Sequence, residues 1–406
     1  MRKHHVKDTR PYAHGSVKRR ELFKQLGAAA ALQSIGGCAS DEHAAVEPES
    51  ESSQPEAAQQ AMPSMTPSAA APPPAQAQPA QPTQQPATAQ PSGQAQAPAT
   101  QPATAAPQMP APKQEIAVPA TMGADTTRFF PGFTNDQVSV TGATINLAKG
   151  GDGPPLLLLH GAPYSHVTWR LIAPELAKKY TVIATDLRGY GDSSKSADTP
   201  DHSNYSKRNM ANDQVEVMKH YGFDQFAVVG HDRGGRVAQR MALDHPDKVT
   251  KIAVIDIVPT YYSYTHVTLA FVQAYFHWFN YLRAAPGPEN ELMMQNRAAL
   301  GAGSDVQKEY QRTASTMENI HAMCEDYRAA ASIDLEHDAA DLATKISAPL
   351  LTLWASNGSI AKIFDVLEVW KERALTVTGK ELVGGHSLQE DASAAVLAEL
   401  MPFLEA

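Results

Sequence analysis

A carboxylate stands where a strand should turn sharply into a helix. Gly230-His231-Asp232-Arg233-Gly234-Gly235 follows the apolar run Ala227-Val228-Val229 and precedes a helical stretch from Arg236 to Leu243. This is the pattern of a nucleophile elbow, with the nucleophile flanked at one residue's distance by glycines. The glycines permit a tight, strained turn, and the helix start brings positive potential to the reacting atoms. With Asp232 in the central place, the chemistry is attack on an sp³ carbon, leaving an alkyl ester on the protein. Water must then cleave that ester. Proteolysis and ordinary ester cleavage are disfavoured, because they need a hydroxyl or thiol nucleophile. A degenerate elbow in a surface binding protein would show the same residues without turnover.

The second step needs a general base, and His386, in Val383-Gly384-Gly385-His386 after the last apolar run, is the candidate. Asp256 closes Ile252-Ala253-Val254-Ile255-Asp256, 24 residues beyond Asp232. A carboxylate at that strand end can fix the histidine tautomer. The later loop Ala355-Ser356-Asn357-Gly358-Ser359 offers no carboxylate, and Asp365 falls beyond it, in an expected helix. The plainer alternatives are a salt-bridging Asp256 and a structural His386.

These side chains need a frame. Strands are predicted at 155–159, 181–185, 226–229, 252–255 and 349–354, with 376–377 leading into 382–383 and an alternating hairpin strand at 138–147. Helical spacing appears at 169–179, 209–221 and after the elbow to about 245. Apolar strands separated by helices predict an α/β fold with a mostly parallel central sheet covered on both faces. The interval of about 258–345, rich in Tyr, His, Trp and Met, breaks the alternation. It reads as a helical cap inserted between two strands, over their carboxyl ends, where open α/β sheets bind ligands.

The order of strand, His160-Gly161, strand, Asp186-Leu187-Arg188-Gly189-Tyr190-Gly191-Asp192-Ser193, strand and elbow resembles the α/β-hydrolase family across 121–406. Asp232-Arg233-Gly234-Gly235-Arg236 is similar to the elbow of the haloacetate (fluoroacetate) dehalogenases. Asp201-His202-Ser203-Asn204-Tyr205-Ser206, His245-Pro246-Asp247 and Asp256-Ile257-Val258-Pro259-Thr260 match that family too. The resemblance implies that Arg233 and Arg236 clamp a substrate carboxylate. Guanidinium groups in a closed pocket are costly unless an anion meets them, and they suit a carboxylate geometrically. It implies that His277 and Trp278, in Ala274-Tyr275-Phe276-His277-Trp278-Phe279, and Tyr327, in Glu325-Asp326-Tyr327-Arg328, donate to the departing halide. An aromatic cap packed as core is the structural alternative. Backbone N–H groups of Ala162 and Arg233 would form the oxyanion hole. His160-Gly161-Ala162-Pro163 has alanine where the family usually has phenylalanine, so substrates somewhat larger than haloacetate would fit. The implied activity converts a small 2-halo acid to a 2-hydroxy acid and halide, with no metal or organic cofactor. An epoxide hydrolase is the rival, using the same nucleophile with Tyr261, Tyr262, Tyr264 or Tyr275 as acids.

Composition divides the chain. Of 30 prolines, 17 lie between Pro48 and Pro119, and residues 41–120 contain no Phe, Trp or Tyr. That stretch cannot bury a core, so 38–120 is expected as a disordered Pro/Ala/Gln-rich linker and 121–406 as the folded domain. Residues 121–406 carry 25 Lys/Arg against 34 Asp/Glu, giving −9. An acidic domain without a basic block argues against a nucleic-acid partner. Lys18-Arg19-Arg20-Glu21-Leu22-Phe23-Lys24 resembles a twin-arginine export signal. The mildly apolar 27–37 that follows ends in Ile35-Gly36-Gly37-Cys38, which resembles a lipobox despite lacking the usual leucine. Residues 1–37 are thus expected as an export signal, with Cys38 lipidated and the protein tethered to a membrane in the periplasm by its lipid alone. A basic tail on a cytoplasmic enzyme is the alternative, and a homodimer is an allowed assembly. Cys38 and Cys324 do not suggest a disulfide framework.

Overall fold

The computed structural model describes residues 125–297 and 300–406. The segments expected as an export signal and a linker, with Cys38 between them, lie outside the described residues.

Eight strands form one sheet in the order β1-β2-β4-β3-β5-β6-β7-β8. They are β1 (Phe133–Val140), β2 (Ala143–Gly150), β3 (Pro155–Leu159), β4 (Thr181–Thr185), β5 (Phe226–His231), β6 (Val249–Ile255), β7 (Leu350–Ala355) and β8 (Val377–Leu382). The pairings from β4 through β3 to β8 are parallel, while β1–β2 and β2–β4 are antiparallel. The central strands are apolar because both faces are covered. Leu157, Leu159 and Val228 join one core cluster, and Leu156, Leu158 and Val229 join the other. This is the alternation that a two-residue period imposes.

Helix α1 (Ala173–Leu176) follows β3, α2 (Lys207–His220) follows β4, and α3 (Arg233–Asp244) follows β5. Seven helices then separate β6 from β7: α4 (Thr260–Thr265), α5 (Leu269–Ala274), α6 (Phe276–Tyr281), α7 (Gly287–Arg297), α8 (Asp305–Ala314), α9 (Met317–Ala330) and α10 (Ile333–Ala340). They are the cap. Helices α11 (Ser359–Ile363), α12 (Val366–Arg373), α13 (Leu388–Asp391) and α14 (Ser393–Glu405) complete the domain. No helix among the described residues is long and apolar enough to cross a membrane.

Three expectations change. The alternating segment 138–147 is not one strand but the heart of a hairpin, turning at Gly142 with φ +77°. The helix expected at 169–179 shrinks to a 3₁₀ turn (His166–Trp169) and the four residues of α1, which opens with Pro174. Asp365 lies at the start of α12 rather than inside it, and its side chain accepts the Glu368 N–H.

Candidate active site

The strand β5 ends at His231, and α3 begins at Arg233. Asp232 bridges them with φ 47° and ψ −117°, a conformation that non-glycine residues rarely adopt. The turn is possible because strand and helix nearly touch. A Cβ on Gly234 would come 2.3 Å from the Leu159 carbonyl oxygen. Asp232 is only 7% exposed, and that remainder opens into a cavity of about 770 Å³. The Ala162 N–H donates to Asp232 Oδ2 at 3.2 Å, so this half of the expected oxyanion hole meets the carboxylate. A Cβ on Gly161 would fall 2.6 Å from the Asp232 Cβ, which explains glycine beside that donor. His160 steadies the loop, with Nε2 accepting the Leu187 N–H and Nδ1 against the Gly161 carbonyl.

Asp256 follows β6 and shares the unusual φ of 47°. Its Oδ1 accepts the Ala355 N–H at 2.9 Å, and its Oδ2 lies 2.6 Å from His386 Nδ1. That pairing fixes the proton on Nδ1 and leaves Nε2 free to act. Asp232, Asp256 and His386 all line the same cavity. The His386 side chain is 43% exposed and lines the cavity, where partial desolvation opposes its charge, yet the bond to Asp256 and the charges of Asp256 and Asp232 raise its pKa to about 9. Burial would likewise raise the Asp232 carboxyl. The surrounding His386, His231, Arg233 and Arg236 outweigh it and hold that pKa below the usual value, so the group is an anion.

His277, Trp278 and Tyr327 converge on the cavity, their ring centroids 6.1–6.5 Å apart. Burial lowers the His277 pKa to about 4, so its imidazole is neutral and donates one N–H. Burial pushes the Tyr327 phenol up, so it keeps its proton.

The arginines differ from expectation. Both are buried, at 1% exposure, but neither lines the cavity. Each lies against a ring that does: Arg233 is 3.4 Å from the Tyr327 centroid and Arg236 is 4.6 Å from that of Trp278. Arg233 also finds an anion within the protein, since its Nη1 is 3.1 Å from Asp326 Oδ1. Among the described residues Arg236 forms no ion pair: it donates to the Val258 carbonyl and to Ser263 Oγ, and feels the Asp232 charge without touching it. Arg233 Nη2 and Arg236 Nη1 are buried with no hydrogen-bond partner.

Several residues escaped the sequence reading. His231 Nε2 lies 2.9 Å from the His386 carbonyl oxygen, so the residue before the nucleophile holds the base's backbone. Asp326 gathers Arg233, Lys207 and the Tyr190 hydroxyl. The far end of the cavity carries Arg170, Gln307, Tyr310 and Glu390, with Arg170 3.0 Å from Glu390. Of the four tyrosines considered as acids, Tyr275 lines the cavity, whereas Tyr264 is nearly buried and its hydroxyl has no partner.

An α/β-hydrolase fold model matches residues 154–392. This chain belongs to the α/β-hydrolases. The hydrolase is 42% identical over 288 residues to a fluoroacetate dehalogenase from a Burkholderia species, covering 67% of this chain and 95% of the relative. It is 30% identical over 287 residues to a soluble epoxide hydrolase from a Corynebacterium species, covering 66% of this chain and 96% of the relative. Among solved structures, a putative α/β-hydrolase from Nostoc matches with a TM-score of 0.64 and 49% identity, over 67% of this chain and 98% of that one.

Proposed function

We propose that this hydrolase removes halide from a 2-halo acid such as fluoroacetate and releases a 2-hydroxy acid. The observation that carries the reading is Arg236, a buried cation without a carboxylate partner and with a vacant N–H, one turn from an ionised Asp232. A small substrate carboxylate meets that demand. Asp232 attacks C2 through the oxygen not held by Ala162, forming a C–O bond as the carbon–halogen bond breaks. The halide departs among the N–H and O–H groups of His277, Trp278 and Tyr327. Its substrate's carboxylate takes the vacant N–H groups of Arg236 and Arg233, which requires the Tyr327 ring to move off Arg233. His386, oriented by Asp256, then takes a proton from water, whose oxygen attacks Asp232 Cγ. The oxyanion forms at the Ala162 and Arg233 N–H groups. Collapse expels the hydroxy acid's alkoxide, which takes the proton back from His386, and the Asp232 carboxyl then ionises, releasing one proton to solvent. The scheme uses no metal or organic cofactor.

The second reading, epoxide opening, draws on Tyr275 and Tyr327, two protonated phenols on the same cavity wall. Halide release from fluoro- and chloroacetate, measured beside diol formation from styrene oxide, decides between them. Diol without halide overturns the dehalogenase reading, and neither product leaves the non-catalytic binding protein. For location we propose twin-arginine export and a lipid tether at Cys38, on the strength of the residues at 18–38.

A further inference from the structure

Away from the catalytic cavity, three side chains from two parts of the chain aim ligand atoms at one point. Asp198 comes from the loop after β4, and His321 and Glu325 come from one face of cap helix α9, four residues apart. One ligand atom from each lies within 4.8 Å of the other two. His321 Nε2 is 2.9 and 3.0 Å from the two Asp198 oxygens. Its other nitrogen, Nδ1, lies 3.2 Å from Oε1 of Glu289, a cap residue only 1% exposed. A carboxylate behind the imidazole is the usual device that orients a metal-binding histidine and raises its basicity. His202 Nδ1 lies 2.6 Å from Glu325 Oε2, adding a fourth candidate ligand.

Charge points the same way. Asp198, Glu325 and Glu289 bring three negative charges, and Arg328, 2.8 Å from both glutamates, brings one positive charge. One divalent cation would neutralise that surplus of two. Imidazole with carboxylates suits zinc or manganese better than calcium or magnesium.

We propose that Asp198, His321 and Glu325 form a divalent transition-metal site that ties the cap to the core. The site joins α9, which carries Asp326 and Tyr327 one residue and two residues past Glu325, to the loop after β4. Metal occupancy would therefore fix the helix that supplies a wall of the catalytic cavity.

The test is calorimetric titration of the full chain with Zn²⁺ at pH 7.5, alongside thermal melts. The expected result is one saturable site and a raised melting temperature. Asp198→Asn and His321→Gln should weaken that site at least about tenfold, and Glu289→Gln should do so by about 10–100-fold. Mg²⁺ should not compete. Equal binding in wild type and variants would place the metal elsewhere, for instance on His4 and His5, and overturn the proposal. So would the absence of saturable binding, which would leave the cluster a set of ion pairs and nothing more. Because the readout is metal affinity, its failure is independent of whether haloacids are substrates.

Discussion

Arg233 and Asp326 approach to 3.1 Å where neither is more than 1% exposed. One arginine of the pair beside the nucleophile thus already owns a counter-ion, shared with Lys207 and Tyr190. Arg236 does not. If a haloacid is the substrate, as proposed, recognising its carboxylate falls mainly on Arg236, while Arg233 joins the cap helix α9 to the elbow through Asp326.

Asp326→Asn should therefore act first on stability. It strands the buried Arg233 and leaves Lys207 only Asp334, 3.5 Å away, and breaking a buried pair costs about 3–5 kcal/mol. Urea unfolding followed by circular dichroism measures it. A loss below about 1 kcal/mol would show that the surrounding groups repack without the carboxylate.

Substrate charge is the next test. The neutral amide of a haloacetate leaves Arg236 unpaired, so the acid should be the better substrate by roughly a hundredfold or more, about 3 kcal/mol. Arg236→Leu should erase most of that preference, and Arg233→Leu should erase less of it while destabilising the fold. The quantity to determine is the acid-to-amide ratio of kcat/KM. A wild-type ratio near one would mean that neither arginine reaches the substrate.

The covalent step can be caught directly. Asp232→Asn should abolish turnover, whereas His386→Asn should still be alkylated and then stall. Intact-mass spectrometry of His386→Asn after incubation with haloacetate should show the added mass on Asp232. A slow but unmodified variant would argue for direct attack by water.

The pH dependence should differ between the two steps. The resting imidazole is held protonated, with a pKa raised to about 9. Alkylation cancels the Asp232 charge that helps to raise it, so the pKa falls just when a neutral base is required. In quenched single turnovers, ester hydrolysis should rise with pH to a plateau, and ester formation should lack that limb. Asp256→Asn should slow hydrolysis and move the limb to lower pH. The stabilisation that His386 gains from this pairing is complete below its free value of about 6.5. It fades as pH rises through about 9.

The address makes a separate prediction. Arg19 and Arg20 changed to Lys should block export, and Cys38→Ala should release the protein from the membrane fraction. Fractionation with an immunoblot reads both. An unmodified protein found free in the cytoplasm would defeat the two expectations together.

Local pattern carried much of this molecule. The apolar runs at 155–159 and 181–185 coincide with β3 and β4, because strands buried on both faces leave a continuous apolar signature. The elbow was legible because part of its demand is local: a Cβ on Gly230 would come 2.4 Å from the Gly234 carbonyl oxygen, four residues on. The hairpin turn at Gly142 was hidden, since alternation on both sides runs through it without a visible break. Arg233 finds Asp326 across 93 residues, and His231 finds the His386 backbone across 155. No spacing rule reports partners that only the closed fold brings together. The aromatic cap had the same ambiguity. Composition announced rings over a site, but only geometry shows Tyr327 facing a cation on one side and a cavity on the other.

Asp232 and Asp256 both stand in backbone conformations that suit glycine better. Seen from thermodynamics alone, each is the wrong residue for its place. Glycine at 232 would relax the turn, so relief of backbone strain and loss of the nucleophile run in the same direction there. Only selection on turnover keeps the aspartate. A relative that has lost the need for catalysis should lose that residue before it loses the fold.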